Sequence, residues 1–143
     1  MGVATSAVLD APIEAVWAIV SDFGNLQRWH PMVARCEADG DTVGSMRTVH
    51  FADWWASERL ERLDPDAHVF GYAVVDSSRP PNIGVNGSIT LSEAGPGRTR
   101  VDWMSGHPDD HPHAAVVNPA LEAYYPQRVN HLRNALGLPI IDA

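Results

Sequence analysis

Thr5-Ser6-Ala7-Val8-Leu9-Asp10-Ala11-Pro12-Ile13-Glu14-Ala15-Val16-Trp17-Ala18-Ile19-Val20-Ser21-Asp22-Phe23 runs on through Gly24-Asn25 to Trp29-His30-Pro31, and this stretch decides the fold. It opens as a short strand. Ile13, Val16, Trp17 and Val20 then recur at helical spacing and make one apolar stripe. Pro12 suits the first helical position, where a missing N–H costs nothing, with Asp10 or Ala11 just outside as the cap. Gly24-Asn25 ends that helix, and a second short turn precedes Trp29 and Pro31, which return the chain to extended structure. A strand feeding a bent pair of short helices suits a fold that encloses a cavity.

Downstream, the chain alternates as a sheet does. Strands are expected over 33–37, 44–51, 54–63 and 68–76, the last with Phe70, Tyr72 and Val74 on one face. Asp39-Gly40-Asp41 and Asp64-Pro65-Asp66 supply turns, and Pro80-Pro81 makes 77–82 a loop. Val85, Gly87, Ile89 and Leu91 share a face in a fifth strand. Thr99–Ser105 forms a sixth with Val101 and Trp103 inward. Asn118 and Pro119 read as cap and first residue of a long helix. Its stripe is Leu121, Tyr125, Val129, Leu132 and Leu136, it ends at Gly137, and Pro126 is expected to kink it. Six strands after the first, followed by a helix with one apolar face, predict an α+β fold: a curved seven-stranded antiparallel sheet wrapped around the C-terminal helix.

The chain has 143 residues, 45% of them hydrophobic, consistent with one domain over 1–143. No apolar run approaches the roughly 18–20 residues of a membrane span. Met1-Gly2-Val3-Ala4 lacks a basic region, so no cleaved signal and a cytoplasmic location are expected. A net charge of −8 argues against nucleic-acid or anionic-membrane partners. All ten basic residues are arginine, which excludes a lysine Schiff base. The one cysteine, Cys36, excludes an internal disulfide.

Ala11-Pro12, Val16-Trp17, Asp22-Phe23, Trp29-His30-Pro31, Gly44-Ser45-Met46-Arg47, Glu58-Arg59-Leu60-Glu61 with Leu63-Asp64, Tyr72 and Val101-Asp102-Trp103 follow one another in an order that resembles the SRPBCC superfamily. That superfamily includes START-like domains and the bacterial polyketide cyclase/dehydrase group. The resemblance covers nearly the whole chain. It implies a helix-grip fold, with two short helices after the first strand and an apolar cavity between sheet and C-terminal helix. It also implies a hydrophobic small-molecule ligand, aromatic or polyketide-like, and no cofactor. The activity it implies is either that of a cyclase/dehydratase-like enzyme or that of a non-catalytic carrier of a lipophilic metabolite. Two features depart from related sequences: Trp54-Trp55 stands where a small turn is usual, and 78–82 lacks a following tyrosine.

Strand parity supplies the leading chemical candidate. A two-residue loop at Ala52-Asp53 pairs Phe51 with Trp54 and sets Arg47 opposite Glu58. Arg47 shares its face with Val49 and Phe51, and Glu58 with Leu60, so both are expected in the cavity. Such a pair can hold an enolate while the acid moves a proton, or it can simply brace the sheet. His30 is a third catalytic candidate, the alternative being a packed ring. Trp29, Val49, Phe51, Trp54, Leu60, Phe70, Tyr72, Val85, Trp103 and Tyr125 are the expected ligand-binding residues. His107-Pro108-Asp109-Asp110-His111-Pro112-His113 offers metal-ligand types, but its prolines forbid a helix that would align them, and it is read as a solvated loop. No metal is expected, and the chain is read as a monomer or homodimer.

Overall fold

The computed structural model describes residues 2–141; Met1, Asp142 and Ala143, the ends of the expected domain, lie outside the described residues. The elements are β1 (Val3–Leu9), α1 (Ile13–Val20), a single 3-10 turn (Leu26–Arg28), β2 (Arg35–Ala38), β3 (Met46–His50), β4 (Trp55–Asp64), β5 (Val69–Ser77), a second 3-10 turn (Pro80–Asn82), β6 (Asn86–Glu93), β7 (Thr99–Gly106) and α2 (Ala114–Ala135). The strands form one antiparallel sheet in the order β1-β7-β6-β5-β4-β3-β2. The second of the two expected short helices is thus only one 3-10 turn. β4 carries irregularities between Ser57/Glu58 and between Leu60/Arg62, which bend the strand and help curve the sheet.

The inward residues are those that parity predicts: Val49, Ala56, Leu60, Phe70, Ile89, Leu91, Val101 and Trp103 are buried. All of them except Val49 and Ala56 pack against Val16, Trp17 and Val20 of α1 and against Tyr125, Val129 and Leu132 of α2. A smaller cluster of Ala56, Val74, Val85 and Val117 closes the other end. α1 is pinned at its N-terminal end and along its first turns. The Thr99 hydroxyl donates to Ala11 O (2.7 Å), and His68 Nε2 meets Glu14 Oε1 (2.8 Å) while its ring sits edge-on to Trp17.

Helix boundaries depart from the sequence reading in two places. Pro12 is the cap of α1 rather than its first residue, its carbonyl accepting from Ala15 and Val16. α2 begins at Ala114 and runs through both Pro119 and Pro126. Asn118 does not cap it, because its side chain is engaged elsewhere. Asn118 Oδ1 accepts from His107 N and its Nδ2 donates to His107 O, both at 2.9 Å. The loop is solvent-exposed over 108–110 and 112–113, as read, but its first residue makes it a clip as well. His107 is fully buried, its Nε2–H donates to Pro81 O (2.7 Å), and its ring stacks flat on His111 at 3.6 Å. Gly106, at φ +118°, turns the chain into this clip. Among the described residues, no group of three His, Cys, Asp or Glu side chains could hold a metal ion, and no helix is long and apolar enough to cross a membrane.

Gly87 faces Tyr72 across β5–β6, and a Cβ there would overlap the Tyr72 ring. The missing side chain is what lets that ring lie flat on the sheet. Gly87→Ala is therefore expected to cost about 1–3 kcal/mol by overpacking, whereas Ser88→Ala on the opposite face should stay within about 0.5 kcal/mol. Urea unfolding of the two variants checks this.

Candidate functional site: a two-part cavity under the C-terminal helix

Two spaces that share part of their walls lie between the sheet and α2. The inner chamber is small, about 40 Å³, and is walled by Val20, Asp22, Leu26, Trp29, His30, Arg47, Phe51, Glu58, Phe70, Tyr72, Ile89, Trp103 and Arg128. The outer space is an open groove of about 700 Å³ between the β3–β4 hairpin, the β5–β6 loop and the first half of α2. His30, Phe51 and Arg128 line both and form a neck, with Tyr124 beside them. The chamber holds a few waters at most. The groove has the size of a small-molecule site.

Arg47 and Glu58 face each other across β3–β4 as parity requires. Arg47 is 4% exposed and Glu58 12%. Arg47 Nε and Nη2 both meet Glu58 Oε1, at 2.8 and 2.7 Å, and Nη1 donates to Phe23 O just beyond α1 at 2.9 Å. The guanidinium lies 4.6 Å from the Phe23 ring centre and 5.4 Å from that of Tyr72. All three of its nitrogens have an acceptor, so it joins α1 to two strands.

His30 is 3% exposed, and neither ring nitrogen has a partner among the described residues. It is enclosed by Trp29, Phe51, Tyr124 and His131, at ring distances of 5.4–6.0 Å. Burial, with the Arg128 charge second, pushes its pKa down to about 3. The imidazole is neutral at physiological pH, and its one donor and one acceptor nitrogen are both buried in the wall of the neck. Burial also lowers His131 and raises the Tyr72 and Tyr125 hydroxyls.

The groove is roofed by a stack. Phe51 lies on Trp54 (4.1 Å between ring centres, 8° between planes), and the Arg79 guanidinium covers Trp54 at 4.5 Å. This stack joins the hairpin to the β5–β6 loop, which the His107 clip holds from behind. Met32, 57% exposed, and Val116, 73% exposed, leave the rim apolar.

Of the expected ligand-binding residues, Trp29, Phe51, Phe70, Tyr72 and Trp103 line the chamber, and Trp54 and Phe51 line the groove. Val49, Leu60, Val85 and Tyr125 line neither. Leu60 and Tyr125 belong to the main core and Val85 to the second cluster, while Val49 is buried on the sheet. Parity and helical spacing find inward faces but do not separate packed positions from lining ones. Arg128 and Tyr124 were not anticipated. A signal for Arg128 was present: it stands four residues before Leu132 and three after Tyr125, a charge set into an apolar stripe.

A family profile described as polyketide cyclase / dehydrase and lipid transport matches residues 2–137. The chain belongs to that family. Over 72 residues, 47% of this chain, it is 32% identical to abscisic acid receptor PYL7 of Arabidopsis thaliana. Over 74 residues it is 36% identical to abscisic acid receptor PYL6 of the same plant. The matched stretch spans 34% of either receptor, about a third of its length. Among solved structures, a Thermobifida fusca protein has a TM-score of 0.77 at 24% identity, covering 99% of this chain and 97% of that one. The di-domain ARO/CYC BexL from the BE-7585A biosynthetic pathway has a TM-score of 0.78 at 16% identity, covering 96% of this chain and 46% of that one. At these identities the likeness shows the fold. With the family, it supports a ligand-binding role for the space between sheet and helix.

His30 makes stability depend on pH. An unfolded histidine titrates near about 6.5, and the folded one at about 3, so the unfolded chain takes up the proton first as pH falls. Stability is complete above about pH 6.5 and declines below it, by about 2 kcal/mol at pH 5 from this group. His131 shifts in the same direction. Urea unfolding at pH 7 and pH 5 should register the loss, and His30→Phe should remove most of that share.

Proposed function

We propose that the chain binds a flat, hydrophobic small molecule, its body in the groove against Trp54, Phe51, Val117 and Leu121 and one end at the neck, and that it acts as a carrier or receptor for that molecule. The observation that carries this reading is the pairing of a roughly 700 Å³ groove, open and mostly apolar, with a chamber of only about 40 Å³. A ligand of polyketide size has room in the first and none in the second. The Arg47–Glu58 pair lies beyond the neck with the Arg47 nitrogens already answered, which suits a brace better than an acid/base couple.

A second reading, a cofactor-independent cyclase or dehydratase, is favoured by one observation: the neutral His30 ring, with both nitrogens unpartnered, at the point where a ligand's polar end would lie. In this version His30 moves a proton and Arg47–Glu58 stabilises developing charge from behind.

Native mass spectrometry of the purified protein is expected to release one lipophilic compound, recovered unchanged after incubation with fresh protein. Conversion to a product lacking the elements of water would replace the carrier reading with the dehydratase one. Trp54→Ala should weaken binding of the neutral fluorophore N-phenyl-1-naphthylamine about ten-fold, since base-sized aromatic stacking is worth about 1–3 kcal/mol. Unchanged binding would remove the groove as the site. For the brace, Arg47→Met should cost about 3 kcal/mol in urea unfolding, and adding Glu58→Leu should recover most of it.

A further inference from the structure

Resting on the reading that the groove takes an apolar ligand, we propose that Arg128 anchors a negative charge on that ligand: the occupant is an amphipathic organic anion, its charged group at the neck and its apolar body in the groove.

The argument begins with which charges in the wall are already matched. Arg47 is bonded to Glu58 and to Phe23 O. Asp22 bonds Asn25 (2.9 Å) and meets Arg28 at 3.5 Å. Arg79 at the rim meets Asp53 at 3.6 Å. Arg128 has no carboxylate partner among the described residues. Its Nε–H is buried with no partner among the described residues, and the neighbouring Tyr72 hydroxyl is a neutral group.

Ring faces take the place of an acid. The guanidinium carbon lies 4.9 Å from the Tyr124 ring centre, 5.8 Å from Trp103 and 6.0 Å from Tyr125. Such faces stabilise a cation from above and below its plane, but they leave the in-plane N–H donors free. Arg128 itself lines both the chamber and the groove. An unanswered charged donor in a part-buried wall is costly, and an anion arriving through the groove relieves that cost with a charge-assisted bond. His30 adds to the preference: it is uncharged, does not compete for the anion, and can donate a ring N–H to it. In a chain of net charge −8, a cation at the neck offsets the overall negative field where an anion would sit.

The test uses two probes that differ by one charged group, 8-anilinonaphthalene-1-sulfonate and the neutral N-phenyl-1-naphthylamine, titrated by fluorescence against the full chain. The wild type should bind the sulfonate more tightly. Arg128→Gln should lower the ratio of sulfonate to neutral affinity about ten-fold or more. Arg128→Lys, which keeps the charge without the fork, should retain part of the preference and serves if the glutamine variant is unfolded by circular dichroism. Equal wild-type affinity for the two probes, or a ratio unmoved by either substitution, overturns the anchor while leaving the groove reading intact. If neither probe binds the wild type, both readings fall.

Discussion

A guanidinium buried to 4% exposure must have its N–H directions answered, and the way Arg47 meets this requirement organises the molecule. One answer comes from across the hairpin, Glu58 on β4, and the other from Phe23 O just past the end of α1. The two answers are satisfied together only when the β3–β4 register is correct and α1 lies at one angle to the sheet. A slip of one residue would turn Arg47 to solvent and leave Phe23 O without its donor. The irregularity at Ser57/Glu58 lies beside the acceptor, where a local change in strand direction helps aim the carboxylate.

That anchoring fixes where the cavity is. With α1 and the following 3-10 turn held against β3, Trp29 and His30 arrive under α2, and the chamber they close is small and mostly apolar, with His30, Arg47, Glu58 and Arg128 set in its wall. The ligand-sized space is displaced outward, beneath Trp54 and the β5–β6 loop. Two contacts keep that outer space shaped: the Phe51–Trp54–Arg79 stack in front and the His107 bond to Pro81 O behind. The same residues that deepen the hydrophobic groove bring His30 and Arg128 to its inner end. Apolar burial and a localised polar contact are therefore presented to one ligand together.

The fold was largely legible because its signals are local and periodic. Alternation put Val49, Leu60, Ile89 and Trp103 inside, and a two-residue loop at Ala52-Asp53 set the Arg47–Glu58 register that the structure has, with Phe51 N–H bonded to Trp54 O. Less was legible at the candidate site. Val49, Leu60, Val85 and Tyr125 face inward but are sealed by neighbours, and sealing depends on side chains distant in sequence. Asn118 and Pro119 look like a helix start and are not one, because His107 claims the Asn118 side chain and the helix tolerates Pro119 within.

The sequence by itself determined the α+β class, the seven strands and their inward faces, the closing helix and the Arg47–Glu58 pairing. Each of these follows from periodicity or from turn length, which act over a few residues. Only the tertiary structure decided that the cavity is divided into chamber and groove, that His107 clips the histidine-rich loop to Pro81, and that Arg128 stands in the wall without an acid among the described residues. Those outcomes depend on which side chains from separate elements meet. A missing partner in particular is a property of the whole packed molecule, and no stretch of chain carries it alone.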